Sequence, residues 1–70
     1  MNIYLLTRLD HADFDEYQRA VVIAPDEPSA RAMHPSGEMS EYGWVTPDKV
    51  EVALIGKAIS SETQRVVCAK

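Results

Sequence analysis

The stretch "LDHADFDE" gathers the residues most able to do chemistry: Asp10, His11, Asp13, Asp15 and Glu16 within seven positions. Clustered carboxylates could hold a hard cation, which takes several oxygen ligands from one loop. The spacing D-H-x-D-x-D-E lacks the glycine and the terminal glutamate at the offsets that a calcium-binding helix-loop-helix requires. Zinc prefers histidine and cysteine, and the chain has two histidines and one cysteine. Paired carboxylates could also serve as general acid and base, but that needs a desolvated cleft to separate their pKa values. No apolar frame surrounds the cluster in the sequence. The expectation is a solvated turn whose acids can dock a partner, with no metal and no cofactor.

Nucleophilic chemistry has less to draw on. Cys68 lies in the apolar run "VVCA", so a buried, inert thiol is expected. No serine stands in a strand-to-helix elbow. The glycines at 37, 43 and 56 form no phosphate loop. The chain is therefore read as non-enzymatic.

Elements that would position these residues follow from hydropathy patterning. Residues 2–8, "NIYLLTR", alternate as a strand that is apolar on both sides, as a central strand would be. Residues 17–24, "YQRAVVIA", read as a second strand, so the acidic stretch becomes the hairpin loop and the entry to strand two. Residues 25–37 carry a short helix. Asp26 is its N-cap, Pro28 sits in its first turn, and Pro35 and Gly37 end it. Ala30, Met33 and His34 share a helix face, and Arg31 pairs with Glu27 one turn back. Residues 46–49, "TPDK", read as a type I turn. Residues 50–59 form strand three with a bulge at Gly56, and residues 65–69 form strand four.

The predicted order is β-β-α-β-β: one α+β domain over residues 1–70, with a four-stranded, mostly antiparallel sheet and one short helix. One helix of two to three turns cannot cover both faces of that sheet. A second copy of the chain is the simplest cover for the other face, because isologous dimers dominate small assemblies. The 34–49 loop, with Tyr42 and Trp44 as plugs, is the rival cover.

Seventy residues bury only about 60% of the unfolded chain's surface, so stability is marginal. One cysteine excludes an internal disulfide. The N-terminus lacks a basic region followed by a long apolar run, so neither a signal peptide nor a membrane span is expected, and a reducing cytoplasmic setting is the default. The net charge of −4 is uneven: residues 10–41 hold eight acids against two bases. Direct nucleic-acid binding needs clustered cations and is not expected. An acidic surface suits a basic protein partner.

These segments together resemble a group of small accessory proteins of bacteriophages and prophages. "YLLTR", "FDEY", "VVIAPDEPSARAMHP", "VEVALIGKA" and "VVCA" are similar to that group's Y-L-L-T-R, Y-D-E-Y, V-V-x-A, A-R-x-x-H-P and I-G-x-A segments, with Phe14 at the first tyrosine of Y-D-E-Y. The resemblance spans nearly the whole chain. It implies a phage context inside a bacterial cell and binding to a host protein. The role expected on that basis is inhibition of a bacterial defence system, in the manner of an anti-CRISPR, by occluding a basic surface. The partner-binding candidates are Asp10, Asp13, Asp15, Glu16, Glu38, Glu41, Tyr42 and Trp44. An alternative is a dimeric binder or sponge for a nucleotide-like ligand using Arg31, His34 and Trp44. A small structural or assembly module is a third reading.

Overall fold

The computed structural model describes residues 1–10, 17–35, 44–59 and 63–70. Four strands form one sheet: β1 (Asn2–Arg8), β2 (Arg19–Ala24), β3 (Val50–Lys57) and β4 (Arg65–Ala69). Their order across the sheet is β3-β1-β2-β4, antiparallel at each contact. The fold is therefore α+β with a mostly sheet architecture. The two strands that are apolar on both sides, β1 and β2, are the central pair. That is the position where neither backbone edge meets solvent and both faces can be buried.

The pleat sorts side chains by parity. Tyr4 and Leu6 of β1 lie on one face with Ala20, Val22 and Ala24 of β2, and Val50 joins them from β3. This is the core face. Leu6 and Val22 are completely buried, and Val50 almost so.

The helix α1 (Glu27–Arg31) packs on that face and supplies Ala30 to the core. Asp26 caps it by accepting from the backbone N–H of Ser29 at 2.9 Å. The predicted helix ran on to residue 37, but α1 closes at Ala32, whose N–H reaches back to Pro28 and Ala30. Met33 and His34 therefore leave the helix. The physical reason is that one turn suffices to place Ala30 against the sheet, and Pro35 bars continuation.

Residues Pro47–Lys49 form a 3-10 turn with Thr46 at its N-cap, where the sequence suggested a type I turn. The two differ by a single repeated hydrogen bond. A bulge interrupts the β1–β3 ladder. Ile3 pairs with Gly56 and Tyr4 with Leu54, so Ile55 is the extra residue beside the expected position. A second bulge, at Val67, separates the Val21–Cys68 and Val22–Val66 pairs.

Candidate functional site

Arg8 continues the core-face parity of Tyr4 and Leu6, and it is 7% exposed. A buried guanidinium demands partners. Its Nε donates to Asp10 Oδ1 at 2.6 Å and its Nη2 to Oδ2 at 3.2 Å, a two-pronged pair. Nη1 also donates to the Tyr17 carbonyl at 3.1 Å. The Arg8 guanidinium beside Asp10 holds that carboxyl below its ordinary 3.8. Asp10 thus has a structural post at the mouth of the β1–β2 connection, while its side chain remains 41% exposed. Of the other acidic candidates, Asp13, Asp15, Glu16, Glu38 and Glu41 lie outside the described residues, as does Tyr42. His11 and Phe14 lie outside them too. Among the described residues no three histidine, cysteine, aspartate or glutamate side chains gather as metal ligands.

Trp44 is half-buried and packs against the core cluster together with Met33 and Val45. It lies on the helix side of the sheet and leaves the opposite face untouched. Its indole Nε1 is buried without a hydrogen-bond partner among the described residues.

Arg31 is a staple. One guanidinium nitrogen donates to the carbonyls of Pro47, at 3.3 Å, and of Val50; the other reaches Glu27 Oε1 at 2.6 Å. The helix is thereby tied to the 3-10 turn and to the start of β3. His34 meets the Tyr17 ring edge-on, with centroids 6.3 Å apart. Arg31 and His34, the two polar members of the ligand-binding alternative, are thus both engaged by protein groups.

The remaining surface is more informative. The sheet face opposite the helix carries the half-buried Ile3 and Leu5 of β1 and Val21 of β2, the exposed Ala53 of β3, and Ile23 of β2, which is 3% exposed. None of the described helix or Trp44–Val45 segment packs over it; those all join the core-face cluster. Cys68 belongs to this open face, paired with Val21, and it is exposed. The expectation of a buried thiol fails for that reason. "VVCA" has core composition, but β4 is an edge strand and Cys68 projects from its uncovered side.

Charges fringe the open face unevenly. One end row holds Glu51 on β3, Thr7 on β1 and Arg19 on β2. Lys70 extends that row, exchanging backbone hydrogen bonds with Arg19 at 3.0 and 3.2 Å. The opposite end row holds Gly56, Ile3, Ile23 and Arg65.

A second apolar feature lies at the far end of β3. Leu54 is 60% exposed, Ile55 55% and Ile59 69%, with Met1 at 47% beside them through the Ala58 N–H to Met1 carbonyl bond. β3 pairs with β1 on one side and is an edge of the sheet on the other. Sequence reasoning assigned "VALIG" to a strand without asking which of its residues the helix could reach. The signal was present: five apolar or small residues in a row cannot all face one core.

No helix among the described residues is long and apolar enough to cross a membrane. Comparison with known proteins returns no match: no family model, no curated protein and no solved structure aligns with the chain.

Proposed function

We propose that the chain is a non-enzymatic binding module that docks a host protein through the outer edge of β3 and the apolar end beside it. The observation that carries this reading is the exposure of Leu54, Ile55, Ile59 and Met1, each about half-exposed or more, along the edge strand β3, just beyond it, and at the N-terminus bonded to its end. Water-exposed apolar side chains of this size cluster where a partner covers them. An open strand edge also offers unpaired N–H and C=O groups to an extended segment of that partner.

The net charge of −4 supports a basic partner surface. Occlusion of such a surface, in the manner of a phage inhibitor of a bacterial defence enzyme, is the role that fits both features. Trp44 is not the anchor in this reading, because it packs against the core.

The test is affinity capture from a bacterial host lysate at low and moderate salt, using the tagged chain and its Ile55→Lys variant. Ile55 is a bulge residue with 55% exposure, so the substitution leaves the core intact. A near-stoichiometric partner held by the parent, weakened by salt and lost with Ile55→Lys, supports the reading. A partner retained by the variant, or no partner from any host tested, overturns it.

A further inference from the structure

We infer that the outer edge of β3 takes an extended segment of a partner protein as an added antiparallel strand, over the window from Glu51 to Leu54. The segment that fits reads apolar, any residue, apolar, cation. This rests on the proposed docking at the β3 edge and names what docks there.

The ladder with β1 fixes where each peptide group points. The Leu9 N–H donates to the Lys49 carbonyl at 2.9 Å. Hydrogen-bonded pairs alternate with non-bonded pairs in antiparallel strands, so Thr7–Glu51 and Leu5–Ala53 are bonded pairs. The other side of β1 agrees. The Arg8 N–H donates to the Gln18 carbonyl at 3.2 Å, so even-numbered residues of β1 bond β2 and odd-numbered ones bond β3. Val50, Val52 and Leu54 therefore turn their N–H and C=O groups away from β1.

That outward edge is open over a short stretch. Both groups of Val50 are taken: its N–H donates to the Pro47 carbonyl, and its carbonyl accepts from Arg31. The bulge at Ile55 ends the regular edge on the other side. The groups of Val52 and Leu54 remain, and among the described residues nothing bonds to them from outside. Two residues with both groups free define the register of an added strand.

Side chains of the window set the partner's chemistry. Residues across from Val52 and Leu54 come to the helix side of the sheet, where Leu54 is 60% exposed. Apolar side chains there cover it. Ala53 is small and exposed, so any residue fits across from it. Across from Glu51 the added pair is of the non-bonded type, whose Cα atoms are only about 4.5 Å apart. Glu51 is exposed and has no ion pair among the described residues. A lysine or arginine at that place pairs with it, in line with the basic partner that the net charge of −4 favours.

A second copy of the chain does not fit the window. Centred on Val52, two β3 edges need the groups of Val50, which are taken. Centred on Leu54, they need Gly56, which bonds Ile3 on the inner side. Centred on Ala53, they set Glu51 of each copy against the bulge at Ile55 of the other, a charge on an apolar side chain at both ends.

The test uses a synthetic probe and the unaltered chain. The probe is an end-capped peptide, valine-threonine-valine-lysine between flanking serines, titrated into the isotope-labelled chain. Amide exchange is followed by NMR. At about nine-tenths occupancy the Val52 and Leu54 amides should exchange about tenfold more slowly, because only the unoccupied fraction opens to water. N-methylation of the two peptide valines, whose N–H groups face β3, should abolish binding. N-methylation of the threonine and lysine, whose N–H groups face water, should not. Glutamate in place of the peptide lysine should weaken binding about fivefold, and Glu51→Lys in the chain should restore it. Binding that survives methylation of both valines, or no slowing at Val52 and Leu54, overturns strand addition and leaves apolar docking at Ile55 to the capture experiment. Equal binding of the lysine and glutamate peptides overturns the cation across from Glu51.

Discussion

Replacing Arg31 with methionine separates a structural arginine from a ligand-binding one. Methionine keeps an apolar stem of similar length and removes the guanidinium. The lost contacts differ in weight. The bond to the Val50 carbonyl is part-buried, at a residue that is itself 1% exposed, and a charged donor to a carbonyl contributes about 1.5–3 kcal/mol. The Pro47 carbonyl, at 3.3 Å and exposed, adds little. The pair with Glu27 spans one helical turn in solvent, which contributes about 0.3–0.5 kcal/mol. Arg31→Met should therefore destabilise the fold by about 2 kcal/mol. A chain of 70 residues has only about 4–10 kcal/mol in total, so the shift in a urea midpoint followed by circular dichroism would be large. Glu27→Gln, as a control, should cost no more than about 0.5 kcal/mol. If Arg31→Met lowered stability by less than about 0.5 kcal/mol, the staple reasoning would be wrong. A guanidinium that can be removed without structural consequence is one available to an anionic ligand.

Other perturbations probe the rest of the frame. Leu6→Ala empties a fully buried position between β2 and β3 and should cost about 2–5 kcal/mol, enough to leave much of the chain unfolded at 37 °C; a smaller loss in thermal unfolding would mean the core is not where the sheet places it. Trp44→Phe should be tolerated or slightly stabilising, because it deletes an indole N–H that is buried without a partner among the described residues. Trp44→Ala should destabilise clearly, and equal stability of both variants would argue against the tryptophan packing on the core. Acid should weaken the fold. Hydrogen bonds from Arg8, Ser29 and Thr46 hold Asp10, Asp26 and Asp48 respectively below their ordinary 3.8. Depressed carboxylates contribute stability that is complete above the unfolded-chain value and disappears as pH falls through the folded values. Thermal midpoints should therefore drop as pH is lowered below about 4, and Asp10→Asn should shrink that drop; an unchanged acid profile would deny Asp10 its tie to Arg8.

The sheet was legible because its signal is redundant. Residues 3–6 and 20–24 are unbroken apolar runs, apolar on both sides of a strand, as a central pair of strands would be. The N-cap at Asp26 was legible because the aspartate, the proline in the first turn and the apolar Ala30 agree. The helix end was not. Met33 and His34 have the spacing of a helical face, but spacing alone does not say how many turns the sheet has room to pack.

The acidic cluster at residues 11–16 lies outside the described residues, so only Asp10 of that group has a known place. Cys68 was misread because composition reports a residue's type and not its side of the strand. Arg8 has core parity and is buried because Asp10, two residues on, neutralises it. Cys68 has apolar neighbours and is exposed because its parity, shifted by the bulge at Val67, sends it to the open face.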